Sequence, residues 1–189
     1  MPIQLIVGLA NPGDKYYPTR HNAGEWFVEQ LLRDAPDTLS LESKFSANIT
    51  QTALYNHLVR IMIPTTYMNE SGKAVAAVVK FFKIAPENIL VAHDEIDLPP
   101  GTVKLKLGGG HGGHNGLRHI IQALGTPNFH RLRIGVGHPG HKDDVVDYVL
   151  KKPKSDEKKQ IDDAIIAALQ VMPTVMSDDM QAAMKALHT

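Results

Sequence analysis

What most limits the fold of this 189-residue chain is its alternation of short apolar runs with longer stretches of helical spacing. Strand-like runs fall at about 3–9, 45–54, 57–63, 88–93, 102–107 and 131–137, and helical patterns at about 22–34, 70–83, 115–124 and 143–150. The runs on either side of Asn56 pair naturally as a hairpin, and Asn69 or Ser71 is placed to cap the helix that follows it. Further helices are expected at about 156–171 after Pro153 and about 174–187 after Pro173. Strands alternating with helices specify an α/β layered fold with a mixed, largely buried sheet. No repeat or low-complexity linker divides residues 1–189, so one domain is expected, with the helical tail covering an edge of the sheet.

Composition removes several chemistries. The chain has no Cys, hence no disulfide, no thiolate nucleophile and no Cys-based metal site. Its first residues lack a basic, then long apolar, leader pattern, and no run approaches the roughly 18 apolar residues of a membrane span, so a cytoplasmic protein without membrane association is expected. The formal net charge of zero conceals an uneven distribution. Residues 98–142 hold Lys104, Lys106, Arg118, Arg131, Arg133 and Lys142 and no acid, while the segments on either side are each net acidic. Such a run suits an anionic partner if its charges share a surface.

Polar residues concentrate in four loops at element ends: Asn11-Pro12-Gly13 to His21-Asn22, Pro64 to Asn69, His93-Asp94-Glu95, and Gly108 to Asn115. In α/β sheets such loops converge at strand carboxyl ends, where ligands bind. With no Cys and no Gly-x-Ser-x-Gly elbow, a hydrolase here uses water as nucleophile, and water needs a base. A histidine held by a carboxylate meets that need, and His21 with Asp94 is a pair of the right kind. The run Gly108 to Gly116 contains one Gly-x-Gly-x-x-Gly match, but no acid follows before Asp143 and no Gly-Lys-Ser/Thr is present, which argues against both a dinucleotide site and a P-loop. What survives is a tightly turned loop whose backbone approaches a ligand closely. His111 with His114, or His138 with His141, have the spacing of metal ligands, but no nearby acid completes either set in sequence; no metal is expected.

Together these motifs resemble the bacterial peptidyl-tRNA hydrolases. The resemblance runs through Leu5-Ile6-Val7-Gly8-Leu9-Ala10-Asn11-Pro12-Gly13, Tyr16, and Thr19-Arg20-His21-Asn22-Ala23-Gly24. It continues through Pro64-Thr65-Thr66-Tyr67-Met68-Asn69, Ser71-Gly72, and His93-Asp94-Glu95-Ile96-Asp97-Leu98-Pro99-Pro100-Gly101. Lys106 to Gly116 and Phe129 to Gly140 complete it, in family order over most of residues 3–153.

The resemblance implies a single α/β domain with a twisted mixed sheet, a helical C-terminal tail near the cleft, a monomer, and no cofactor. It implies hydrolysis of the ester joining a peptide to the terminal ribose of tRNA, which recycles tRNA after drop-off from the ribosome. By motif match His21 is the base and Asp94 its partner, and Asn11 discriminates a blocked amino group from a free one. Asn69 and Asn115 bind the substrate near the ester and peptide, Tyr16 and Tyr67 line the site with Met68 and His114, and Lys106 and Arg133 hold tRNA phosphate. Tyr67 stands where many relatives have Phe. Asn69 is also a candidate oxyanion donor, because its amide donates without titrating. The alternative from another class is a non-catalytic RNA-binding module on the same fold.

Overall fold

The computed structural model describes residues 2–188. Seven strands form one sheet: β1 (Leu5–Gly8), β2 (Ser40–Glu42), β3 (Ala47–Leu54), β4 (His57–Pro64), β5 (Ile89–Glu95), β6 (Val103–Leu107) and β7 (His130–Gly135). Their order is β2-β3-β4-β1-β5-β7-β6. The inner strands β4, β1, β5 and β7 run parallel, while β2, β3 and β6 are added antiparallel at the margins. The sheet is mixed and its centre buried; every residue of β1 and all of β5 except Glu95 is inaccessible. This is why these strands read as continuous apolar runs rather than alternating ones.

Six helices accompany the sheet among the described residues: α1 (Ala23–Leu31), α2 (Ser71–Phe82), α3 (Asn115–Leu124), α4 (Val145–Val149), α5 (Ser155–Met176) and α6 (Met180–His188). On one face Phe27 and Trp26 of α1 and Ile161, Ile165 and Met172 of α5 pack over Ile6, Leu90, Leu132 and Ile134. On the other, Val75 and Val78 of α2 and Leu117 and Ile120 of α3 pack over Leu5, Val7, Met62 and Val91. Helix α1 lies unusually close to the sheet. A Cβ on Gly24 would overlap the Ala92 carbonyl and the Leu9 backbone, and one on Gly8 would overlap the Gly24 carbonyl. Glycine at both positions lets the turn before α1 reach the end of β5.

The expected strands and the hairpin are present, and its turn residues Tyr55 and Asn56 both have positive φ (51° and 66°), as a type I′ turn requires. Several boundaries differ. Residues 20–22 form a 3₁₀ turn before α1 rather than its first turn. Neither Asn69 nor Ser71 caps α2: the residue at the cap is Glu70, and the Ser71 hydroxyl donates to the Met68 carbonyl at 2.7 Å. Pro173 does not divide the tail. Helix α5 runs through it, and the break falls at residues 177–179. Buried Val171, Met172, Val175 and Met176 hold this last turn against the core and outweigh the one backbone hydrogen bond a proline cannot make.

Candidate active site

In the parallel part of the sheet, the segments leaving β1, β4, β5 and β7 open at one end, and β1 sits where its two neighbours diverge in chain order. A crevice there is a topological consequence. It is a cleft of about 740 Å³ lined by Asn11, Tyr16, His21, Tyr67, Met68, Asn69, Asp94, His114 and Asn115, with α4 contributing Val145, Val146 and Val149. The four polar loops singled out from the sequence all reach it. Of the tail, only the stretch around α4 lines it; α5 and α6 lie on the sheet face.

At its base, His21 and Asp94 meet although 73 residues separate them. The His21 Nδ1 lies 2.9 Å from Asp94 Oδ2 and 3.0 Å from Oδ1. A carboxylate can only accept, so Nδ1 carries the hydrogen and Nε2 is left as the nitrogen able to take a proton. Asp94 also accepts from a second ring, that of His114, whose Nε2 is 2.8 Å from Oδ1. The tautomer of His114 follows from its position as the cap of α3: its Nδ1 accepts the amides of Gly116 and Leu117 at 3.1 and 3.3 Å. His114, expected among the residues that line the site, fastens the buried carboxylate and starts a helix.

Burial by itself would weaken His21's hold on a proton, yet the charge of Asp94 and its hydrogen bond outweigh burial and raise the imidazole above its ordinary value. Burial would likewise raise Asp94, and the two histidines instead pull it well below the ordinary carboxylate range. His93, fully enclosed with its ring 5.2 Å from that of His114, is pushed down to about 4 by burial first and then by His114. It is therefore a neutral packing partner near pH 7, with Nδ1 donating to the Asp94 carbonyl at 2.8 Å.

Asn11 is tightly fixed. Its backbone exchanges two hydrogen bonds with the side chain of Asn22, at 3.0 and 2.9 Å, and its Oδ1 accepts the Met68 amide at 2.7 Å. The Nδ2 group is what Asn11 has left to offer the cleft. Asn22 is fully buried, and its role was missed in the sequence, where it marked only a helix start. Its signal, an Asn directly after the candidate base, gains meaning only once β1 and α1 are adjacent. Tyr16 and Tyr67 meet edge to face at 6.3 Å on the rim, Asn69 stands exposed on the wall, and Asn115 accepts from Arg118 at 3.1 Å.

The basic run is distributed more selectively than its sequence implies. Cross-strand register puts Lys104, Lys106, Arg131 and Arg133 on one face of β6 and β7. Lys106 and Arg133 both line a smaller hollow of about 260 Å³ that shares His93, Glu95 and His111 with the cleft. Arg133 is not a wholly free cation, because its Nε donates to Glu95 at 2.8 Å. Arg131 also borders that hollow, but it is buried and its guanidinium is turned onto backbone carbonyls. His111, His138 and His141 each accept a backbone amide two residues on, which explains them as loop supports. Among the described residues, the group with donor atoms close enough for a metal is His21, Asp94 and His114, within 4.8 Å of one another. A metal there would have to displace both N–H bonds to Asp94.

Fold and site thus define an α/β domain with a carboxylate-backed imidazole at the crevice of a parallel-centred sheet. The chain belongs to the peptidyl-tRNA hydrolase family, whose profile matches residues 5–189. It is 57% identical over 189 residues to the peptidyl-tRNA hydrolase of Edwardsiella ictaluri, covering 100% of this chain and 96% of that one. It is 55% identical to that of Halorhodospira halophila, over 98% of this chain and 95% of the relative. The crystal structure of the Acinetobacter baumannii peptidyl-tRNA hydrolase superposes with a TM-score of 0.95 at 50% identity, covering 98% of this chain and 94% of that chain. No helix among the described residues is long and apolar enough to cross a membrane.

Proposed function

We propose that the chain hydrolyses the ester between the peptide, or an N-blocked aminoacyl group, and the terminal ribose of tRNA, and so returns tRNA to translation. The observation that carries this reading is the His21–Asp94 pair at the base of a cleft large enough for an acyl-adenosine end. His21 Nε2 takes a proton from water as the water oxygen attacks the ester carbonyl. Asp94 holds the ring and stabilises the imidazolium, which then returns the proton to the departing ribose oxygen. Such a base contributes about 10²–10⁴ in rate, and a donor at the developing oxyanion about 10²–10³. Asn69, a non-titrating amide on the cleft wall, is assigned the oxyanion role.

Asn11 accounts for the blocked amino group. Its oxygen is occupied by Met68, so it offers N–H. An acylated nitrogen brings a carbonyl that accepts this donor, whereas a free ammonium brings only donors and a positive charge. Asn115 and the Tyr16–Tyr67 pair complete the peptide end, with Met68 and His114 in support, and Lys106 and Arg133 contact tRNA phosphate from the adjoining hollow. One chain supplies every group named, which fits a monomer working in the cytoplasm where tRNA is charged. A non-catalytic RNA-binding module would have no use for a desolvated carboxylate holding an imidazole. The test is turnover of N-acetyl-aminoacyl-tRNA against free aminoacyl-tRNA. Cleavage of only the blocked substrate is expected, with loss of turnover but not of tRNA binding in His21→Ala; equal cleavage of both substrates sinks the Asn11 assignment.

A further inference from the structure

We propose that Arg131 is a positioning residue that fastens the glycine loop and thereby sets the wall against which substrate binds. The loop at 108–114 has bonds of its own only near its end, where the His114 amide donates to the His111 carbonyl and the Gly113 amide to His111 Nδ1. Gly108, Gly109, Gly112 and Gly113 all have positive φ (70°, 96°, 58° and 82°), and Gly109 and Gly110 are exposed. A chain with this freedom loses much entropy when held in one shape, so something outside the loop must hold it.

Arg131 is placed to do so. It projects from β7, is 2% exposed, and stacks over the buried ring of Phe129 with its guanidinium carbon 4.5 Å from the centroid. Its Nη1 donates to the Gly110 carbonyl at 2.5 Å, and its Nη2 donates to the carbonyls of Gly109 and Pro127 at 2.7 and 3.0 Å. One planar fork thus pins two consecutive peptide groups of the loop to the strand beneath it. There is a geometric corollary. All peptides described are trans, and in a trans peptide the C=O and the following N–H point in opposite directions. With the Gly109 and Gly110 carbonyls turned down onto Arg131, the amides of Gly110 and His111 are turned up onto the open side of the loop. Arg131 therefore presents two backbone donors beside the cleft without touching substrate.

Proton chemistry does not depend on this contact, since His114 is held separately by Asp94 and by the start of α3. Losing the clamp should impair binding more than turnover. The test compares Arg131→Met and Arg131→Lys by amide exchange and by kinetics on N-acetyl-aminoacyl-tRNA. Exchange at the hydrogen-bonded amides that frame the loop, those of Gly108, Gly113 and His114, is expected to quicken by about ten-fold or more in both, the scale of losing one net hydrogen bond, while exchange in β5 is unchanged. KM should rise by a similar factor, and the pH midpoint of kcat should stay where it is. Lysine is expected to fail because one ammonium cannot hold these three carbonyls in a plane. Uniformly faster exchange, a full rescue by Arg131→Lys, or a fall in kcat at constant KM would each overturn the proposal. The kinetic arm rests on the proposed hydrolase reading, whereas the exchange arm does not: if the unaltered chain cleaves no blocked substrate, exchange alone decides.

Discussion

Asp94 holds two imidazoles with a single carboxylate, and only one of them has a nitrogen left for chemistry. His114 spends both nitrogens, one on Asp94 and one on the amides of α3, so the proton traffic falls to His21. The raised affinity of His21 for its proton fixes the sign of the pH response. Activity needs the neutral ring and should therefore climb with pH about a midpoint above the ordinary imidazole value. In Asp94→Asn the raising charge is gone while burial remains, so the midpoint should move down and kcat should fall by about 10²–10⁴. A pH–rate profile of the two proteins reads both effects; a midpoint that stays put would detach His21 from Asp94. Stability follows the same linkage in two windows. The contribution of Asp94 is present above the ordinary carboxylate range and is lost as pH falls through its lowered value. That of His21 is complete below the ordinary imidazole value and is lost as pH rises through the raised one. At this scale the sequence revealed residue types well and partnerships poorly. His21 and Asp94 stood out because a water-using hydrolase needs that pair. Asn22 and Glu95 did not, because their meaning lies in contacts with Asn11 and Arg133 that only the packed sheet creates.

Among the elements, α4 depends most on its surroundings. Five residues cannot sustain a helix alone. Arg20, next to the base in sequence, donates to the carbonyls of Tyr148 and Lys151 at 2.9 and 3.3 Å, pairs with Glu157 at 3.2 Å, and stacks on the Tyr148 ring at 3.8 Å. The Tyr148 hydroxyl in turn donates to the Val136 carbonyl at 2.7 Å. The cleft wall and the turn bearing His21 are thus tied through one buried guanidinium. Arg20→Met should destabilise the protein by about 2–4 kcal/mol in urea unfolding, because it removes three hydrogen bonds, one of them to a carboxylate, and the stacking on Tyr148. Tyr148→Phe, which loses one hydrogen bond, should cost about 1 kcal/mol. Equal costs for the two would show that Arg20 does no more than fill space. Legibility at this scale tracked local chemistry. The hairpin turn at Tyr55–Asn56 and the start of α3 were readable because the residues that set them lie within a few positions. The short strand β2 was not, since Ser40, Leu41 and Glu42 are all exposed and owe their conformation to β3. Pro173 misled for the converse reason, as core packing around it overrode the local rule.

For the molecule as a whole, balanced charge and a nucleic-acid partner are compatible because the fold segregates the bases. Lys106 is exposed on the hollow beside the cleft, whereas Arg131 is spent on the loop and Arg133 is shared with Glu95. A second carboxylate beside Glu95 would bring its own repulsion, so Lys106→Glu with Arg133→Gln is a cleaner perturbation than reversing both. The double variant should raise KM for peptidyl-tRNA and flatten its salt dependence by a slope of about 1–2, while turnover of a minimal N-blocked ester is kept. Equal loss on both substrates would place these residues in the chemistry instead.

The two margins of the sheet carry a last consequence. On one side the outermost strand, β2, is three residues long; on the other, the Leu105 amide of β6 donates to His188 Nε2 of α6 at 3.0 Å, which stoppers that strand at its middle residue. On the β6 side a neighbouring copy therefore meets no unbroken row of open backbone groups to zip onto, whereas β2 covers β3 only along Ala47–Ile49 and leaves the outer side of Thr50–Leu54 without a strand partner. Strand-by-strand growth between molecules, the route to fibrillar deposits, is discouraged on the β6 side by this one backbone contact rather than by the mutual repulsion that zero net charge does not provide.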